Sequence, residues 1–147
     1  MSFKLEHINI KVPSIAKTQA FLAAAFSDYV ERGRGYSESF GHWLHFGNDD
    51  TYIALLQTRA LGQEQAVLVE PYKYEEDYRL MHVGFVVDDV ERLIARLEAK
   101  GFSPADTGDL DTHPFRRRVY YLDGNGIEWE FIQYLSDQPT QRNDYLL

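Results

Sequence analysis

The chain contains no cysteine. That excludes disulfides, thiolate metal ligands and a cysteine nucleophile together. Any metal would have to be held by histidine, aspartate or glutamate. Positive charge is also scarce: 15 Lys and Arg stand against 23 Asp and Glu, a formal net charge of −8. Nucleic acids and anionic membranes call for a basic face, so neither is an expected partner. No apolar run approaches the roughly 20 residues that cross a bilayer. The opening Met1-Ser2-Phe3-Lys4-Leu5-Glu6 lacks the apolar stretch of a secretory signal, and a cytoplasmic protein is expected. What is present is a globular composition, 44% hydrophobic and 14% aromatic over 147 residues. That suits one compact domain, or two small halves sharing a core.

The chain reads twice. Leu5-Glu6-His7-Ile8-Asn9-Ile10-Lys11-Val12 runs alongside Leu80-Met81-His82-Val83-Gly84-Phe85-Val86-Val87. Both openings are strand-like, with alternating β-branched residues, and a helical pattern follows each. Pro13 and Ser14 open the first. Asp88 with Glu91, a capping-box spacing, opens the second. Val90, Leu93, Ile94 and Leu97 then mark one helical face, and Gly101 supplies its stop. Three shorter strand candidates follow each helix, near 28–33, 41–47 and 51–57, and near 102–106, 115–122 and 126–134. Gly47-Asn48-Asp49-Asp50 and Asp123-Gly124-Asn125-Gly126 are turn chemistry between antiparallel neighbours. The expected organisation is a single α+β domain, residues 1–147, of two βαβββ modules at about 4–57 and 80–134. A polar linker, 58–79, joins them, and a tail without clear period covers 135–147. One half alone leaves a sheet face uncovered.

Strand alternation assigns the faces. Ile8, Ile10 and Val12 face the helix, so His7, Asn9 and Lys11 point the other way. His82 and Gly84 oppose Met81, Val83, Phe85 and Val87. Glu128 and Glu130 oppose Ile127, Trp129 and Phe131. A lone strand histidine is usually structural. Here two histidines hold the same place in a repeat, and a carboxylate lies on the helix-free face of the last strand. That set is expected to hold one divalent ion, with iron, zinc, nickel and manganese all suited to it. Glu130 shares Glu128's face and is the alternative ligand or a neighbouring base. Asn9 and Lys11 flank His7 and could contact a polar or anionic substrate. In Arg116-Arg117-Arg118, alternation sends Arg116 and Arg118 one way, where they could clamp an anionic group. His42, His45 and His113 have no repeat partner and read as structural. Trp43, Tyr120 and Tyr121 read as core or lining.

The openings at His7 and His82 and the ending Asp123-Gly124-Asn125-Gly126-Ile127-Glu128 resemble the vicinal oxygen chelate superfamily. This group includes glyoxalase I, extradiol dioxygenases, fosfomycin-resistance proteins and bleomycin-binding proteins. The resemblance covers residues 4–134. It implies two βαβββ modules forming a cup-shaped mixed sheet, with helices on its outer face and the metal on its concave face. It also implies up to four ligand places, filled here by His7, His82 and Glu128, with the fourth falling on Ala54, which cannot ligate. Three ligands would leave positions open for a substrate with two neighbouring oxygens. The implied activity is dioxygenase-like or glyoxalase/lyase-like, or opening of an epoxide. The alternative is a metal-free binding protein of the bleomycin-resistance type. The resemblance further implies a homodimer, with a small molecule as the other partner.

Overall fold

The computed structural model describes residues 4–57, 80–107, 110 and 112–145. The expected linker at 58–79 lies outside them. The chain divides into two compact units, Met1–Val69 and Glu70–Leu147.

In the first unit, β1 (His7–Lys11) leads into α1 (Ile15–Ala25), then β2 (Val30–Ser37), β3 (Gly41–Gly47) and β4 (Tyr52–Gln57). Sheet order is β1-β4-β3-β2, with β1 parallel to β4 and the remaining pairs antiparallel. α1 packs on β3 and β4, burying Phe21 and Leu22 against Leu44, Ile53 and Leu55 of the sheet's inner face. Burying one such side chain contributes about 1.5–3 kcal/mol. The β3–β4 turn forms where the sequence indicated, because Asn48 Oδ1 accepts from the amides of Asp50 and Thr51, both at 3.0 Å.

In the second unit, β5 (His82–Val86) leads into α2 (Val90–Glu98), then β6 (Arg116–Leu122) and β7 (Glu128–Tyr134), with sheet order β5-β7-β6. β5 is parallel to β7, and β6 is antiparallel to it. Asp123 Oδ1 takes the amides of Asn125 at 2.8 Å and Ile127 at 3.0 Å, closing the β6–β7 turn. Both sheets are mixed and the class is α+β, as expected.

Three details differ from expectation. The strand at 102–106 contracts to one bridge, Asp106 with Tyr120. Pro104 has no N–H to donate, so a ladder cannot run back through it. The N-cap of α2 is Asp89, not Asp88, and its side chain accepts from the Arg92 amide at 2.9 Å. The tail contains one helical turn, α3 (Pro139–Arg142).

Ser14 makes no side-chain cap bond to α1. Instead Gln57, buried at the end of β4, accepts from the Ile15 amide at 2.7 Å. Gln133 on β7 does the same for Val90 of α2, at 3.1 Å. This is a repeat feature between strand and helix that spacing alone did not reveal. Gln57→Leu leaves a buried helix-start amide without this acceptor, and is expected to destabilise by about 1–3 kcal/mol. Chemical denaturation checks it; a loss below about 0.5 kcal/mol would assign the cap elsewhere.

Candidate functional site

Each unit carries its candidate residues on the sheet face away from its helix, as alternation required. In the first unit His7, Asn9 and Lys11 are exposed along β1. His7 pairs in register with Tyr52, and Asn9 with Ala54. In the second unit His82 pairs with Glu128, and Gly84 with Glu130. The repeat counterpart of Glu128 is therefore Tyr52, and Ala54 corresponds to Glu130. This corrects the assignment of the fourth ligand place to Ala54. Tyrosine at that place does not supply a carboxylate either.

Tyr52 anchors an aromatic row that the sequence reading missed. It stacks on His7, with centroids 4.7 Å apart and planes at 15°. His45 lies 4.8 Å from Tyr52, and Trp43 lies 5.0 Å from His45. The Arg32 guanidinium sits over Tyr52 at 4.5 Å. The β2–β3 register shifts between Glu31 and Gly33; a bulge of this kind re-aims a side chain. Gly35 leaves room for the Trp43 indole, since a Cβ there would lie 2.9 Å from its ring atoms. Burial, then the neighbouring His7 and Arg32, hold the His45 pKa below its ordinary value. His7 Nδ1 lies 2.8 Å from Glu6 Oε2.

In the second unit His82 lies between two carboxylates. Its Nδ1 is 3.5 Å from Glu128 Oε2, and its Nε2 is 3.1 Å from Glu130 Oε2. Metal–N and metal–O distances are about 2.0–2.2 Å, so two donors of one ion stand within about 4.2 Å of each other. Either pair fits, and the donor chemistry suits a divalent ion. Among the described residues, however, no group of three or more His, Asp or Glu has the spacing to hold a metal.

Glu130 is buried and tied down further. Tyr120 donates its hydroxyl to Oε1 at 2.7 Å, and Arg118 Nη1 lies 3.7 Å from the same oxygen. Arg118 is thus brought to the carboxylates. Arg116 is not: it is buried, donates to the Arg142 carbonyl at 3.4 Å, and lies 5.1 Å over the Tyr145 ring, so it serves the C-terminal segment. Arg117 pairs with Glu91 at 2.7 Å. His113 is structural, as expected, accepting from the Phe115 amide and facing the Asp144 carbonyl.

Burial, and then the Glu130 hydrogen bond, push the Tyr120 pKa up to about 12; burial, and then Glu98, do the same for Tyr121. The folded chain keeps protons that the unfolded chain releases above its ordinary tyrosine pKa near 10. Their stabilising contribution is therefore complete below about pH 10 and is lost as pH rises toward 12. A spectrophotometric titration is expected to show late-ionising tyrosines, one fewer in Tyr120→Phe. An unchanged profile in that variant would contradict the assignment.

The arrangement defines a class: α+β proteins of paired strand–helix–strand units with polar groups on the helix-free sheet face. The chain belongs to the Glyoxalase/Bleomycin resistance protein/Dioxygenase superfamily, which it matches over residues 6–121. Among curated proteins none matches the chain. Solved structures share its fold at low identity. A glyoxalase family protein from Enterococcus faecalis has a TM-score of 0.67 at 17% identity, covering 88% of this chain and 96% of its own. A FosX fosfomycin resistance protein variant from Listeria monocytogenes, in complex with Mn(II) and a dihydroxypropylphosphonic acid, has a TM-score of 0.64 at 20% identity, covering 98% and 100%. TnmS3, an antibiotic binding protein from Streptomyces sp. CB03234, has a TM-score of 0.63 at 16% identity, covering 90% and 97%. Among the described residues no helix is long and apolar enough to cross a membrane.

Proposed function

We propose that the protein is a divalent-metal-dependent enzyme acting on a small polar substrate with two neighbouring oxygens. His82 and Glu128 are ligands from the second unit, and His7 is the third. The observation that carries this reading is the in-register pairing of His82 with Glu128 on the helix-free face, at a separation one ion accommodates. When bound, such an ion supplies Lewis acidity to the substrate oxygens and stabilises negative charge developing there. Arg118, which lies 3.7 Å from Glu130, is the residue we assign to an anionic substrate group. Asn9 and Lys11 offer polar contacts on the exposed face of β1. The reaction class is dioxygenase-like or glyoxalase/lyase-like, and the ion iron, zinc, nickel or manganese. The test is metal content by mass spectrometry on protein purified without chelator. About one ion per chain supports the reading; no metal, and none taken up on reconstitution, sinks it.

A second reading has its own observation. The row of His7, Tyr52, His45 and Trp43 brings four aromatic rings together in the first unit, with Tyr52 already covered by His7 and Arg32, so that a flat ligand would rest against the other rings. A metal-free protein that sequesters such a molecule would use that row. Thermal stabilisation by a flat ligand that persists in chelator would favour it. We also propose a homodimer; a monomeric mass in light scattering at micromolar concentration would contradict that.

A further inference from the structure

We propose that Arg32 is the anion-binding residue of the first unit, and that its ligand is a planar carboxylate whose ring lies against His45 and Trp43. This deepens the flat-ligand reading above and rests on it; no metal takes part.

The β2 bulge puts Arg32 on this face. Glu31 pairs with Phe46 and Gly33 with His45, so two steps along β2 span one along β3, and Arg32 is the extra residue. Its guanidinium stands 4.5 Å over the Tyr52 ring, although β3 lies between the two strands. Glycine opens that route. Gly47, the β3 residue in register with Tyr52, has no side chain to block the approach. A Cβ there would stand 2.5 Å from Tyr52 Cβ, closer than real side chains come. Gly33 and Gly35 follow Arg32 on the same face of β2, and the Trp43 indole lies against both.

Arg34 makes the contrast plain. It pairs with buried Leu44 on the helix side, where Glu31 accepts from its Nε at 2.8 Å and Gln19 of α1 from its Nη2 at 3.3 Å. Arg32 is exposed, and among the described residues no carboxylate pairs with it and no oxygen accepts from its N–H groups. In a chain of net charge −8, that sets an unneutralised cation on an aromatic ring.

A guanidinium is a planar fork matched to the two oxygens of a carboxylate, and the ring contact leaves that fork unused. His45 lies 4.8 Å from Tyr52 and Trp43 lies 5.0 Å from His45, both half-buried. A carboxylate on Arg32 therefore brings its own ring alongside those two side chains. A ring conjugated to its carboxylate is flat throughout, which suits the fork and the aromatic row together. A tetrahedral phosphate would meet the fork without that shared plane.

Isothermal titration in excess chelator, with 2-naphthoate and with the neutral 2-naphthalenemethanol, tests this. The wild type is expected to bind naphthoate about 10–100-fold more tightly than the alcohol. Arg32→Gln should remove that preference by weakening naphthoate alone. Arg32→Lys should retain part of it, since an ammonium keeps the charge without the fork. Arg32 is exposed, so thermal melts of both variants should match the wild type. Arg34→Gln, on the helix side, should leave the preference intact. A preference that survives Arg32→Gln, or that is lost in Arg118→Gln instead, would overturn the inference. So would equal weakening of both probes in Arg32→Gln, which would make the residue a support for the Tyr52 ring. Equal binding of both probes to the wild type would overturn it and leave the flat-ligand reading standing. Binding of neither would sink that reading and the inference with it.

Discussion

Glu128→Ala is expected to abolish measurable uptake of the divalent ion while leaving the metal-free protein folded. Losing a group that merely orients a ligand costs roughly 10–100-fold in affinity, and losing the ligand itself costs more. After the substitution His82 retains Glu130, but that carboxylate is buried and engaged by Tyr120 and Arg118. Presenting it to an ion would mean giving up the Tyr120 hydrogen bond. Stability should change little, within about 0.5 kcal/mol, because Glu128 is only partly buried. Isothermal titration of chelator-treated protein with Zn(II) or Mn(II), beside a thermal melt without metal, separates the two effects. Unchanged affinity would remove Glu128 from the ligand set.

Trp129→Ala is expected to produce the largest loss of stability, about 3–5 kcal/mol. Its side chain is fully buried, with Phe85 stacked at 6.2 Å, beneath α2, which packs on β6 and β7. Total stabilities of about 5–15 kcal/mol make this a large fraction. The site would feel it too. Trp129 sits between Glu128 and Glu130 on β7, and its burial is what turns both carboxylates onto the opposite face. Denaturant unfolding should show a lower midpoint. A loss under about 1 kcal/mol would mean that the second unit's core is not centred on this indole.

Local chemistry explains how much of this architecture was legible beforehand. The hairpin turns at Asn48 and Asp123 depend on side chains bonding amides two to four residues ahead, and a sequence displays such short-range partners directly. The helix faces follow from the same cause, since Val90, Leu93 and Leu97 mark their own period. Register is another matter. The interval from His7 to Tyr52 is 45 positions, and that from His82 to Glu128 is 46. Carrying the second interval over to His7 therefore lands on Ile53, an offset one shorter than the spacing of the two histidines lands on Ala54, and only the ladder shows that Tyr52 faces His7. The strand expected at 102–106 failed because Pro104 interrupts its donors. The Gln57 and Gln133 caps escaped notice because donor and acceptor lie more than forty residues apart.

By itself, then, the sequence determined the repeat, the α+β class, the strands that carry His7, His82 and Glu128, and the face on which each one lies. These follow from period, turn residues and alternation, all properties of a few adjacent positions. The tertiary structure alone decided that His82 lies between Glu128 and Glu130, that Tyr120 and Gly84 shape the Glu130 site, and that Arg118 joins it while Arg116 holds the tail. Those outcomes depend on cross-strand pairing and on distances of 3 to 4 Å between side chains. Pairing is set by the collective burial of two sheet faces and a helix, which no single segment encodes.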